Sequence, residues 1–141
     1  MKNLEEYIKS LDKHFQTGIA REHTYRGDFE NLLKTIINKD IIVTNEPARM
    51  REVGAPDFSL TKNGVPIGYI EAKDIDKNLY SKEYNEQFER YKNGLDNLII
   101  TNYIDFIFYR NSQEIAKISI AKIENNKIVP IRENFSEFIN L

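Results

Sequence analysis

Apolar residues along this chain fall first in a helical period and then in a strand period. Leu4, Ile8, Leu11 and Phe15 share one helical face and predict a helix over residues 3–15. A polar stretch over 16–24 follows. Phe29, Leu32, Leu33, Ile36 and Ile37 then recur at i, i+3, i+4, i+7 and i+8, the signature of a second amphipathic helix. Asp28 falls in the first turn of that helix, where a negative charge suits the dipole. From residue 40 the period changes. Residues 40–44 form a short β-branched run, and 56–61 and 65–73 flank Lys62-Asn63-Gly64 as the arms of a hairpin. Tyr84, Phe88, Tyr91 and Leu95 line a third helix over 81–95, and residues 98–101, 104–109 and 115–123 read as three more strands. Residues 135–141 begin a last helix that ends without a cap, as in a domain excised from a longer chain. The order α-α-β-β-β-α-β-β-β predicts an α/β fold with a mixed central sheet flanked by helices.

Composition narrows the chemistry. A length of 141 residues, 40% of them hydrophobic, predicts one domain spanning residues 1–141 with a sizeable core. The absence of cysteine excludes disulfides, thiolate zinc sites, iron–sulfur clusters and Cys nucleophiles, and two histidines are too few for a His-rich site. A metal would therefore be a hard, oxygen-liganded one. The net charge of −2 does not announce a freestanding nucleic-acid binder. No apolar run approaches 18 residues and no secretory signal opens the chain, so the expectation is a cytoplasmic protein with no membrane association.

One constellation carries chemistry. Gly54-Ala55-Pro56-Asp57-Phe58 leads through the hairpin to Tyr69-Ile70-Glu71-Ala72-Lys73. Strand residues two apart share a face, so Glu71 and Lys73 project together. A two-residue turn at Asn63-Gly64 would set Asp57 opposite Ile70, on the wrong face. A three-residue loop would pair Thr61 with Val65 and Asp57 with Tyr69, making Glu71 a diagonal neighbour of Asp57. That register, or a bulge that restores it, is the expectation. Two carboxylates so placed suit Mg²⁺, with the Ala72 carbonyl between them as a third ligand. A metal there polarises a phosphoryl oxygen and acidifies a bound water, and Lys73 can orient that water or stabilise the charge on the attacked phosphate. The same residue types also occur on ordinary charged hairpins. Gln87 adds weight because it interrupts the apolar stripe between Tyr84 and Phe88; it faces either a polar site or, at the stripe's edge, solvent. Glu30 borders the apolar face of the second helix and either faces the same metal or is an exposed first-turn carboxylate.

Together these residues resemble the PD-(D/E)xK nuclease superfamily through Pro56-Asp57, Glu71-Ala72-Lys73, a helix bearing Gln87 and Tyr91, and an upstream helix bearing Glu30. The fuller likeness takes in Tyr25-Arg26, residues 54–58, 68–73, 87–91 and 98–102. In these the chain resembles the N-terminal nuclease domain of Type IIG and Type ISP restriction-modification enzymes, whose one chain also carries a DNA adenine methyltransferase. The resemblance implies a restriction-endonuclease-like core and Mg²⁺-dependent hydrolysis of DNA, with Mn²⁺ able to substitute. It implies Asp57 and Glu71 as metal ligands, Lys73 acting on the nucleophilic water, and Gln87 positioning water or phosphate. Glu30 is carried over as a further catalytic residue. Arg26, Arg49 and Arg51 become either contacts to the DNA backbone or ordinary solvated charges. Methyltransferase and target-recognition domains in the same longer chain, and a transient dimer for double-strand cleavage, are the implied partners. Two alternatives remain: a repair or junction-cleaving nuclease, and a nuclease-like fold serving as a DNA-binding scaffold.

Overall fold

A computed structural model describes residues 2–20, 22–45, 47 and 53–140. Two helices open the chain, α1 (Lys2–Phe15) and α2 (Glu22–Ile36), and five strands and a third helix follow: β1 (Ile41–Asn45), β2 (Phe58–Lys62), β3 (Val65–Ala72), α3 (Asn85–Gly94), β4 (Asn97–Thr101) and β5 (Asp105–Arg110). The rest comprises β6 (Gln113–Ser119), β7 (Ala121–Glu124), β8 (Lys127–Pro130) and the short α4 (Phe135–Ile139). Six strands form one sheet in sequence order, β1 to β6, and β7 pairs with β8 as a separate ribbon. Neighbours in the large sheet are antiparallel except β3 and β4. That one parallel pair needs a crossover, and α3 supplies it. The mixed α/β sheet flanked by helices is the architecture expected.

Each face of the sheet has its own core. Leu4, Tyr7, Ile8 and Leu11 of α1 and Tyr25, Phe29, Leu32 and Leu33 of α2 pack with Phe58, Ile70, Ala72 and Phe106 on one side. On the other, Phe88, Tyr91 and Leu95 from α3 and its C-terminal end cover Leu98, Ile100 and Ile107. A strand covered on both faces is buried along its length, as β3 is from Gly68 to Ala72 apart from a partly exposed Tyr69. No helix among the described residues is long and apolar enough to cross a membrane.

Three local expectations are corrected. Helix α2 starts at Glu22, inside the stretch read as a polar connector, because buried Tyr25 extends the apolar stripe by a turn while His23 and Thr24 face solvent. Asp28 is therefore beyond the first turn, and its Oδ2 lies 2.8 Å from His14 Nδ1, tying α2 to the end of α1. The run 115–123 is two strands, not one. At Ile120 the backbone leaves the ladder to donate to Ile104 and accept from Ile131, burying the side chain completely. Residues 127–130 form a strand that the pattern did not suggest, joined to β7 through Asn125 and Asn126, both at positive φ.

The hairpin takes the second of its two expected forms, a bulge. Lys62 pairs with Val65 across a two-residue turn in which Asn63 and Gly64 have φ of 53° and 77°, the left-handed pair of a type I′ turn. The three-residue loop is absent. Beyond Thr61↔Pro66 the partner of Leu60 is Gly68, so Ile67 is an extra residue, a bulge beside a proline that cannot donate to the ladder. The shift sets Phe58 against Ile70. The ladder ends there, and Asp57, just before β2, reaches the end of β3 through the Ala72 N–H, which donates to its Oδ2 at 2.7 Å.

Candidate active site

Pro56 explains why the β2–β3 ladder stops where it does. It stands two residues before β2, and a proline has no N–H with which to continue a ladder. In an extended strand a residue's N–H and C=O point to the same side. On its other side β3 is already held by β4, with the Lys73 N–H donating to the Thr101 carbonyl at 2.8 Å. The Ala72 N–H turns the opposite way and donates to Asp57 Oδ2 at 2.7 Å. Asp57 thus caps the open end of β3, and the Ala72 carbonyl is directed to the same side. Gly54, at φ 118°, lies against the Tyr91 ring; a Cβ there would lie 3.1 Å from Tyr91 Cε1.

Glu71 projects toward α3 and is only 4% exposed. Its Oε2 is 3.2 Å from Lys73 Nζ and accepts from Gln87 Nε2 at 3.4 Å. Lys73 Nζ donates to Gln87 Oε1 at 2.6 Å, and Gln87 Nε2 also lies 3.4 Å from the Tyr91 hydroxyl. Gln87 therefore faces the polar site, not solvent. The Lys73 ammonium is further held 5.0 Å from the centre of the Tyr84 ring and 5.8 Å from that of Phe88. Those two rings stack on each other at 5.2 Å. An ammonium over aromatic faces gains cation–π attraction while its chain loses rotamer freedom.

Burial raises the Tyr91 hydroxyl to about 12, with the negative charges of Glu71 and Asp57 adding to the effect. A raised phenol contributes stability that is complete below pH ~10 and lost as pH climbs toward 12. Absorbance at 295 nm follows this without interference, since the chain has eight tyrosines and no tryptophan. Tyr91→Phe should remove one phenol from the group that ionises above pH ~11. Losing one that ionises near pH 10 instead would contradict the burial argument.

Arg26 was expected either to contact the DNA backbone or to be an ordinary solvated charge, and it is not solvated. It is 6% exposed, and its Nη2 donates to Asp57 Oδ1 at 2.7 Å. The sequence did carry a signal: Arg26, Phe29 and Leu33 share the apolar face of α2, where an ordinary solvated charge does not sit. Glu30 is not brought to the other carboxylates. It pairs with Lys34 one turn on, at 3.3 Å. Because α2 begins early, the turn that meets Asp57 is the one bearing Arg26. Arg49 and Arg51 lie outside the described residues. Among the described residues no three Asp, Glu or His side chains converge as a metal cage. The candidate donors are the Asp57 and Glu71 carboxylates and the Ala72 backbone carbonyl. That set fits Mg²⁺, which commonly keeps several waters and takes one or two carboxylates. A cavity of about 460 Å³ between Ile75–Tyr80 and the β5–β7 strands contains none of Asp57, Glu71 and Lys73.

The mixed sheet thus brings Asp57, Glu71 and Lys73 to the shared end of β2 and β3. Residues 2–117 match the family model of the Type I restriction enzyme R protein N terminus, and the chain belongs to that family. Its fold is similar to a chain in the cryo-EM structure of a DrdV–DNA complex, with a TM-score of 0.67 and 19% identity. The match covers 84% of this chain and 12% of that one, so this chain corresponds to a small part of the neighbour. No curated protein matches it.

Proposed function

We propose that this chain is the endonuclease domain of a restriction enzyme, of the PD-(D/E)xK kind, hydrolysing DNA phosphodiester bonds with Mg²⁺ or Mn²⁺. The observation that carries this reading is the meeting of Glu71, Lys73 and Gln87 at the end of β3, with Asp57 capping that same end through the Ala72 N–H. Family membership and the fold shared with a DNA complex support it. Asp57, Glu71 and the Ala72 carbonyl would hold the cation, which supplies Lewis-acid polarisation of a phosphoryl oxygen and a more acidic water. Lys73 presents its ammonium where the attacking water or the phosphate charge must sit. Gln87 keeps that ammonium from turning away and lends Glu71 a hydrogen bond. Tyr91 stays protonated at neutral pH, so it adds no charge beside the carboxylates.

The family matched is a Type I R-protein N terminus, so the module that chooses the sequence would lie in other parts of a longer chain or in partner subunits. Fused methyltransferase and target-recognition domains are one such arrangement, and a transient dimer is how one site would come to cut both strands. A cytoplasmic location follows from this reading. The test is nicking of supercoiled plasmid at low salt. Mg²⁺ or Mn²⁺ should convert it to open circles and EDTA should stop the conversion; a chain that binds neither ion and never nicks would sink the reading.

A further inference from the structure

We propose that Arg26 is the site's built-in counter-ion: by holding Asp57 it keeps the affinity of the carboxylate pair for a divalent cation low, so that firm retention of the cation requires a DNA phosphate. This rests on the nuclease reading above. The argument begins with a charge count. Asp57 and Glu71 carry two negative charges, and Arg26 and Lys73, paired with them at 2.7 and 3.2 Å, carry two positive ones. The sum is zero. With Lys73 alone it would be −1, the balance that favours a cation.

The geometry sharpens the count. Ala72 N–H takes Asp57 Oδ2 and Arg26 takes Oδ1, so a cation must share or win an oxygen already held. The Arg26 and Asp57 side chains are 7% and 14% exposed, which limits screening by salt. A guanidinium, unlike an ammonium, does not escape by losing its proton. What can draw it away is a phosphate, whose oxygens match its planar fork as well as a carboxylate does. A phosphate at the site would therefore both supply negative charge and relieve Asp57 of Arg26. Cation and DNA binding then strengthen each other by the same factor.

Mn²⁺ titration by calorimetry tests this on the intact chain, Arg26→Gln, Arg26→Met and Asp57→Asn. Without DNA, both Arg26 variants should bind Mn²⁺ on the order of tenfold more tightly than the intact chain, as expected when a unit charge leaves the neighbourhood of a divalent ion. Asp57→Asn should lose most of the binding. Repeated in a Lys73→Met background with a short DNA duplex, the gain in Mn²⁺ affinity on adding DNA should be large with Arg26 present and small without it. Unchanged or weaker Mn²⁺ binding in both Arg26 variants, with binding still dependent on Asp57, would overturn the counter-ion role and leave the nuclease reading intact. No binding by any chain would overturn the metal site itself. Should the Arg26 variants not fold, the Arg26 guanidinium ¹⁵N signals of the intact chain serve. Mg²⁺ at saturation should shift them, and unmoved signals would overturn the proposal.

Discussion

Lys73→Met should reduce Mg²⁺-dependent nicking by about 10²–10⁴-fold, the range lost with a positioned proton-handling or charge-stabilising group. The same substitution removes the ammonium beside a carboxylate that is only 4% exposed, so lost activity could be confused with lost folding. A double-mutant cycle separates them. Lys73→Met alone should cost about 1–3 kcal/mol in urea unfolding, because Glu71 keeps its charge in a buried place with only part of its compensation. Glu71→Gln/Lys73→Met neutralises both partners at nearly constant shape and should recover much of that loss, with a coupling of about 0.5–3 kcal/mol. Activity should stay absent in the double variant, since neither the ligand charge nor the ammonium is restored. Stability regained without activity is the pattern of a catalytic pair. Lys73→Met that nicks at the normal rate would sink the role of Lys73, and strictly additive stabilities would sink the coupling.

That pair illustrates what the sequence could and could not disclose. Glu71 and Lys73 lie two apart on a strand, and period 2 is enough to put them on one face. Gln87 interrupts an otherwise apolar stripe, and period 3.6 puts it with Phe88 and Tyr91. These are local geometries, and local geometry is legible. Asp57 was harder, because its place relative to Glu71 depends on every residue between them. Asn63-Gly64 does signal a type I′ turn, but taken alone that turn gives the wrong face. The correction comes from a bulge at Ile67, for which the only local hint is Pro66.

Arg26 shows the complementary limit. Its position on the apolar face of α2 was visible, but its partner, Asp57, is 31 residues away and its role could not be inferred from spacing. The start of the helix was placed three residues late, after a stretch read as polar connector. The break at Ile120 has the same origin. Residues 115–123 have the composition of one continuous strand, and only the backbone bonds to Ile104 and Ile131 divide it.

Phe29→Ala should be the most damaging substitution for folding. Phe29 is 1% exposed and its ring meets four others: Tyr7 at 6.2 Å, Phe58 at 5.6 Å, and Tyr103 and Phe106 each at 5.9 Å. It thus joins α1, α2, β2, β5 and the turn before β5 at one point. Truncating a buried Phe costs about 3–5 kcal/mol from lost transfer energy and the cavity left behind. A domain of this size has about 5–15 kcal/mol in total, so the variant should be near its unfolding threshold at 25 °C. Phe29→Leu keeps most of the apolar volume and should cost less than half as much. The damage should also reach the site. Phe58 follows Asp57 directly, and Arg26 stands one turn before Phe29, so both halves of the Arg26–Asp57 pair are anchored on this ring. Urea midpoints for the two variants check the energy, and amide exchange at Ala72, whose N–H is held by Asp57, checks the connection. A loss under 1 kcal/mol for Phe29→Ala would mean that the surrounding rings collapse into the space. Unchanged exchange at Ala72 alongside a large loss would mean that Asp57 is fixed by its own strand, not by α2.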